Sequence, residues 1–238
     1  VSTDKASNPV NMMGASKRIM EMYLLRNSDH INVSTARFAN VAFSNGSLLH
    51  SFGRRIEKRQ PLVAPCDVKR YFVTGQEAGE LCLMSCILGW NRDIFFPKLD
   101  ENIHLTRLSD ILERYLNAIG YEPYYCESED EARSMAKDIS LGKKVWPCLL
   151  TSSDTTGEKF VEEFFTEHET LDLVRFAGLG IIKNDATCEE TLIDLFEKTI
   201  SQLKKRGNWS KDEIVSLFCR VVPGFNHIEK GKSLDGKM

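Results

Sequence analysis

The first residues of the chain place a hydroxyl, a carboxylate and an amine side by side. Thr3, Asp4 and Lys5 follow a short apolar start that is typical of the end of a buried strand. Met13 and Lys17 lie four residues apart, so they share one face of a helix. Hydroxyl, carboxylate and ammonium groups around one pocket can carry out proton transfer. On these residues alone, a helix cap with surface charges is the other interpretation.

Predicted strands and helices alternate along the first part of the chain. Helices are predicted over 11–27, 47–59, 76–89, 108–119, 189–205 and 210–221, with a further helix start in the acidic run 127–131, and strands over 31–38, 69–74, 93–96 and 122–126. This alternation is typical of a parallel sheet covered by helices. Shorter elements after about Pro97 indicate a smaller α/β lobe. Open α/β sheets bind ligands at the carboxyl ends of their strands, where Thr3, Asp4 and Lys5 are expected.

Composition argues against several classes of function. The chain has 238 residues, 42% of them hydrophobic, and a net charge of −3. It carries no basic stripe that would favour nucleic acid, and no apolar run of the roughly 20 residues that a membrane helix needs. Its seven cysteines include no C-x-x-C pair. We therefore expect reduced thiols, no bound metal and a cytoplasmic location.

The segment 1–17, V-S-T-D-K-A-S-N-P-V-N-M-M-G-A-S-K, resembles the active-site stretch of extended short-chain dehydrogenases that act on nucleotide sugars. It is especially similar to the bacterial polysaccharide-biosynthesis 4,6-dehydratases, whose pattern is S-T-D-K-A-x-x-P-x-N-x-[YM]-G-A-[ST/C]-K. The resemblance implies that Thr3 binds the sugar 4-hydroxyl and that Lys17 binds the nicotinamide ribose. It also implies that Asp4 protonates the leaving 6-hydroxyl and that Lys5 handles the proton at sugar carbon 5.

Met13 departs from the wider superfamily, in which a Tyr at this position removes the proton of the 4-hydroxyl. A thioether cannot accept that proton. Part of the dehydratase family carries Met here, so the resemblance still implies an active enzyme. The base would then be Asp4, Lys5 or a water molecule, and a catalytically degenerate site is the alternative.

Two further motifs are similar to nucleotide-binding loops of the same family. R-F-A-N-V, 37–41, resembles R-[FY]-G-N-V, which implies that Phe38 and Asn40, together with Ser2, line the nicotinamide and that Asn40 also contacts the substrate. S-N-G-S-L resembles S-R-G-S-V, which implies a substrate wall formed by Ser44, Ser47 and Leu48. Ser47 opens a predicted helix, whose N-terminus favours anions, although an ordinary Ser N-cap explains it equally well.

Two later motifs imply contacts to the nucleotide. K-R-Y-F-V-T, 69–74, resembles T-R-[FY]-F-x-T, in which the Arg binds the diphosphate. Arg70 is therefore the candidate phosphate ligand, although by itself it would be taken for a surface residue. T-T-G-E-K-F-V-E-E, 155–163, resembles R-P-G-E-K-x-x-E-E, which implies that Glu158 binds the ribose. Thr155 and Thr156 replace the Arg and Pro of that motif, so one usual phosphate contact is missing.

The glycine-rich dinucleotide turn G-x-G-x-x-G does not occur in the sequence, although the resemblance implies NAD or NADP as cofactor. We therefore expect the polypeptide to continue upstream and this chain to be the C-terminal part of a Rossmann-like, doubly wound α/β protein. Residues 1–96 would complete the NAD(P)-binding domain and carry the catalytic segment. Residues 97–238 would form the substrate-binding lobe and the C-terminal helices, interleaved in space with 40–70.

The activity implied by the resemblance is that of a UDP-N-acetylglucosamine 4,6-dehydratase for surface polysaccharide, and we also expect a homo-oligomer. The product would be a UDP-4-keto-6-deoxy-N-acetylhexosamine, made by internal hydride transfer and loss of water. A nucleotide-sugar 4-epimerase or oxidoreductase is the first alternative, although epimerisation needs no acid for a 6-hydroxyl. A degenerate nucleotide-sugar-binding protein is the second.

Overall fold

The structure, a computed structural model, describes residues 1–99, 105–138, 144–153, 157–185, 190–227 and 231. It divides into two compact units, the first made of Val1–Ala39, Gln76–Asp100 and Thr155–Met238, the second of Asn40–Gly75 and Glu101–Asp154. The expected division at residue 96 differs from this one because the chain leaves the first unit twice and returns twice.

The elements are named here in chain order. The strands are β1 (Ser2–Thr3), β2 (Thr35–Phe38), β3 (Asn40–Val41), β4 (Leu62–Pro65), β5 (Lys69–Arg70), β6 (Phe72–Val73), β7 (Ile94–Pro97), β8 (Thr106–Arg107), β9 (Glu122–Tyr125), β10 (Val145–Thr151), β11 (Thr170–Asp172) and β12 (Leu179–Lys183). The α-helices are α1 (Met12–Arg26), α2 (Leu48–Glu57), α3 (Gly75–Leu88), α4 (Leu108–Ala118), α5 (Glu129–Lys137), α6 (Glu190–Arg206) and α7 (Lys211–Val221), and short 3-10 helices span Asp4–Ala6 and Asn27–Asp29. The six helices predicted with both bounds are confirmed, each end within two residues.

A five-stranded sheet organises the first unit, in the order β1-β2-β7-β12-β11. Strands β1, β2 and β7 are parallel, whereas β12 and β11 are antiparallel to their neighbours. The parallel part confirms the predicted α/β class. Its buried apolar side chains include Ala36, Phe95 and Ile181, which pack under α3 through Leu81. The catalytic segment therefore begins on an edge strand of a packed sheet.

Helix α1 begins where the sequence supplies a cap. The Asn11 side chain accepts a hydrogen bond from the Gly14 N–H at 2.8 Å. The apolar stripe of α1 then packs against α6 and α7 through Ala15, Ile19, Met22, Ile193, Leu217 and Val221. The C-terminal helices thus belong to the first unit, whereas the sequence grouped them with the substrate lobe. The apolar faces of α6 and α7 pack against the apolar stripe of α1. Predicting helices from local patterns does not show which helices pack together.

The second unit contains a parallel sheet in the order β4-β10-β9, with α2 and α4 packed against it. Its core is formed by Phe52, Leu62, Leu112, Leu116, Trp146 and Cys148. The predicted strand 69–74 is split at Tyr71, because β5 pairs with β8 while β6 pairs with β3. No helix within the described residues is long and apolar enough to cross a membrane.

Candidate active site

In the S-T-D-K turn, the side chains of Thr3 and Lys5 both contact one carboxylate oxygen of Asp4. Strand β1 ends at Thr3, which caps the short helix Asp4–Ala6 by accepting from the Lys5 N–H at 3.4 Å. Thr3 Oγ1 donates to Asp4 Oδ1 at 2.9 Å, and Lys5 Nζ donates to the same oxygen at 3.0 Å. A carboxylate, a hydroxyl and an amine are therefore connected directly, as proton transfer requires.

The second oxygen of Asp4 has a different environment. Asp4 is only 1% exposed, and its Oδ2 atom has no hydrogen-bond partner within the described residues. A buried carboxylate oxygen without a donor costs free energy, so proteins rarely keep one outside functional sites. Asp4 Oδ2 is thus the unused acceptor of the turn, and a ligand hydroxyl could satisfy it.

Helix α1 is packed tightly against this turn. A Cβ atom on Gly14 would lie 2.4 Å from the Lys5 carbonyl oxygen, so only glycine allows the two backbones to approach this closely. Met13, in the same helical turn, is 47% exposed. Lys17 is half-buried on the same face and forms no hydrogen bond or ion pair with the described residues. Within the described residues, the ammonium group of Lys17 therefore has no partner.

Ser2, predicted to line the cofactor, donates its hydroxyl to Glu21 Oε1 of helix α1. Glu21 also binds the Arg37 guanidinium in a bidentate pair, with Nε at 2.9 Å from Oε1 and Nη2 at 2.7 Å from Oε2. The side chains of Glu21 and Arg37 are completely buried. The pair joins β1, α1 and β2 beneath the S-T-D-K turn.

Arg37 extends this network to the loop before β11. It donates to the Phe164 carbonyl oxygen at 2.8 Å and to both carboxylate oxygens of Glu169 at 2.9 and 2.8 Å. Arg18 forms ion pairs with Glu21 at 3.2 Å and Glu169 at 3.4 Å. Two cations and two anions thus compensate one another, with Arg18 at the partly exposed end of the network.

The charges of this network shift its pKa values. Burial by itself would raise the pKa of Glu21, but the attraction and hydrogen bonds of Arg37 outweigh it, so the pKa is lowered. Burial would lower the pKa of Arg37, but Glu21 and Glu169 raise it. Sequence reasoning missed Glu21. The available signal was an acidic residue between two methionines, Met20 and Met22.

The G-E-K motif lies against the catalytic segment within the first unit. Asn11 Nδ2 donates to the Gly157 carbonyl oxygen at 2.8 Å, and Lys159 Nζ donates to the Ser7 carbonyl oxygen at 2.8 Å. Glu158, between them, is half-buried, and its ribose contact stays a prediction. Thr155 and Thr156 lie outside the described residues.

Phe38 ends β2 in the first unit and is half-buried, whereas the remaining predicted residues belong to the second unit. Asn40 donates its side-chain amide to the Tyr71 carbonyl oxygen at 3.3 Å, which fixes it beside β6. Arg70 is only 9% exposed and donates to the Lys69 carbonyl oxygen at 2.8 Å, so it is not a surface residue. Burial of a guanidinium is expensive unless it has partners. The phosphate contact of Arg70 stays a prediction.

Ser47 caps α2, as the sequence suggested. Its hydroxyl accepts from the His50 N–H at 3.3 Å. Leu48 packs against the core of the second unit, and Ser44 is exposed in the preceding turn. The cap explains Ser47 structurally, and the substrate contacts of all three residues stay predictions.

Residues 1–175 match the family described as polysaccharide biosynthesis protein. The chain belongs to this family. The match begins at the S-T-D-K segment and includes the R-F-A-N-V, K-R-Y-F-V-T and G-E-K motifs. Membership of the polysaccharide biosynthesis protein family thus covers every residue predicted for the site.

Relatives within and around the family are considerably longer than this chain. The probable polysaccharide biosynthesis protein EpsC of Bacillus subtilis is 30% identical over 189 residues, and the capsular polysaccharide biosynthesis protein CapD of Staphylococcus aureus is 30% identical over 169 residues. Each alignment covers 69% of this chain but only 30% of EpsC and 27% of CapD. The chain spans less than a third of either relative.

The chain is also similar to a relative with a named activity and, separately, to a protein of known structure. The UDP-glucose 4-epimerase of Rickettsia canadensis is 29% identical over 156 residues, which is 60% of this chain and 46% of the epimerase. The X-ray structure of Pen from Bacillus thuringiensis superimposes with a TM-score of 0.59 at 20% identity, over 83% of this chain and 60% of Pen. At this identity the likeness to Pen concerns the fold alone.

The close packing at Gly14 predicts that Gly14→Ala destabilises the protein. The added methyl group would overlap the Lys5 carbonyl oxygen, so α1 and the turn must separate. We expect the free energy of unfolding to fall by about 1–3 kcal/mol in urea denaturation. Gly79→Ala in α3 is the control, since nothing lies within 4 Å of its Cβ position, and it should be neutral or stabilising. Equal effects of the two substitutions would contradict this packing argument.

The lowered pKa of Glu21 predicts a loss of stability in acid. Because the folded protein holds the pKa below the ordinary 4.5, the Glu21 contribution is complete above about pH 4.5 and is lost as the pH falls through the folded value. The stability difference between wild type and Glu21→Gln should therefore stay constant from about pH 6 to about pH 4.5 and shrink as the pH falls further in urea titrations. Glu167→Gln, whose side chain is 85% exposed, should show no such trend. A difference that stays constant with pH would refute the assignment.

Proposed function

We propose that this chain carries the catalytic segment of a nucleotide-sugar-modifying enzyme of polysaccharide biosynthesis, and that its reaction is the 4,6-dehydration of UDP-N-acetylglucosamine. The observation that carries the proposal is the meeting of Thr3 and Lys5 on one buried oxygen of Asp4, while the other oxygen has no donor among the described residues. Family membership supports the pathway, and the Asp-Lys pair supports the dehydration.

The elimination needs an acid for the leaving 6-hydroxyl and a base for the proton on carbon 5. Asp4 serves as the acid, because the proton that it takes up from Thr3, 2.9 Å away, can pass to the leaving hydroxyl. Lys5, as the neutral amine, serves as the base. Lys5 takes the carbon 5 proton and returns it to that carbon after water has left.

The missing Tyr at Met13 is replaced in this proposal by a relay through Thr3. Thr3 Oγ1 can accept the proton of the sugar 4-hydroxyl while passing its own proton to Asp4, 2.9 Å away. The relay therefore loads Asp4 with the proton that the leaving 6-hydroxyl takes up. The proton of the 4-hydroxyl leaves in the water, and the proton of carbon 5 returns to the sugar, so the protons balance.

NAD(P)⁺, when bound, would accept the hydride from carbon 4 and return it to carbon 6. Lys17 fits the ribose hydroxyls of such a cofactor, because its half-buried ammonium group has no other partner among the described residues. Phe38 and Asn40 are proposed for the nicotinamide by resemblance. Ser2 fits less well, because its hydroxyl already donates to Glu21. Arg70, Glu158 and the wall formed by Ser44, Ser47 and Leu48 are proposed for the nucleotide and the sugar.

The test is product analysis with the full-length protein. UDP-N-acetylglucosamine should yield a 4-keto-6-deoxy sugar by NMR, without net consumption of cofactor. Asp4→Asn and Lys5→Met should lower this rate by about 10²–10⁴-fold, because each removes a proton-transfer group. UDP-N-acetylglucosamine binding by calorimetry should persist. Lys198→Met, an exposed change on α6, is the matched control and should leave the rate unchanged.

A 4-epimerase is the second candidate, favoured by the 29% identity to the Rickettsia enzyme. Accumulation of only the 4-epimer in the same NMR experiment would select it over the dehydratase. Binding of the nucleotide sugar without any turnover would instead select a degenerate binding protein, the outcome that Met13 makes worth testing.

A further inference from the structure

The buried network of Glu21 and Arg37 contacts Ser2, the residue that precedes Thr3 on strand β1. Successive side chains of a strand project to opposite faces of the sheet. Ser2 is buried and donates its hydroxyl to Glu21, while Thr3, the next residue, is half-buried and hydrogen-bonded to Asp4. Fixing the side chain of Ser2 therefore also fixes the face from which Thr3 and Asp4 leave the sheet.

Glu21 can hold Ser2 rigidly because Arg37 holds Glu21. All five N–H bonds of the Arg37 guanidinium have an acceptor, namely the two oxygens of Glu21, the two oxygens of Glu169 and the Phe164 carbonyl oxygen. A planar group with every donor engaged has one orientation. The Glu21 carboxylate therefore offers Ser2 an acceptor at a fixed place.

We propose that Glu21, held by Arg37, is a positioning residue that acts through Ser2 to place Thr3 and Asp4 against the sugar. This role rests on the proposed function, since it concerns the step at sugar carbon 4. It assigns to Ser2 a structural link to Glu21 in place of the cofactor contact that the resemblance implied. The carboxylate is specifically required, because a Gln at this position would direct N–H bonds toward the Arg37 donors.

Ser2→Ala in the full-length protein is the most selective test, because it removes one hydroxyl and leaves the Glu21–Arg37 pair in place. The rate of change at sugar carbon 4, as keto product or as epimer, should fall by about 10- to 100-fold through kcat. KM for UDP-N-acetylglucosamine and Kd for the nicotinamide cofactor should stay unchanged. Ser2→Thr keeps the hydroxyl and should restore kcat to within about threefold of the wild type.

Each outcome decides the proposal. A raised Kd for the cofactor with kcat unchanged would show that Ser2 contacts the cofactor, and an unchanged kcat would show that the link to Glu21 does not position Thr3. Either result overturns the role of Glu21 while the proposed function stands. If the wild type changes the sugar neither by dehydration nor by epimerisation, the proposed function and the positioning role both fall. If Ser2→Ala does not fold, Ser2→Cys replaces it in the same measurement. Its thiol is a weaker donor to Glu21, so kcat should again fall.

Discussion

The buried pair of Glu21 and Arg37 is the interaction on which the first unit of this protein depends. Charged side chains are placed in a protein interior only when their partners are complete, because desolvation costs several kcal/mol for each ion. Here Glu169 and Arg18 complete the set, so two positive and two negative groups share one site. These contacts join strands β1 and β2, helix α1 and the loop before β11.

The chemistry of the S-T-D-K turn follows from that arrangement. Strand β1 contributes only two residues to the sheet, too few to fix a catalytic turn by backbone pairing alone. Glu21 accepts a hydrogen bond from Ser2 and so ties strand β1 to helix α1. Gly14 allows the backbone of helix α1 to pack directly against the turn. Between these two supports Asp4 keeps one oxygen engaged and one oxygen unused. In the proposed dehydration, Asp4 takes up a proton from Thr3 and releases it to the leaving 6-hydroxyl.

Local patterns in the sequence predicted most of the helices, because caps and apolar spacing act within a few residues. The members of the proposed catalytic turn were identified by resemblance to a family. Ser47 is an example in which a cap residue marked a helix start. Strands β4 and β10 were not predicted, since each contains proline and lacks alternation. The partnership of Glu21 with Arg37, and the burial of Arg70, depend on tertiary packing, and no local pattern encodes them.

A double-mutant cycle tests most directly whether the buried pair organises this unit. The free energy of unfolding is measured by urea denaturation for the wild type, Glu21→Leu, Arg37→Met and the double variant. Each single change leaves a buried charge without its partner and should cost about 3–5 kcal/mol. The double variant should lose less than the sum by at least about 2 kcal/mol. Single losses that add to within about 0.5 kcal/mol would contradict the account, because the two charges would then act independently.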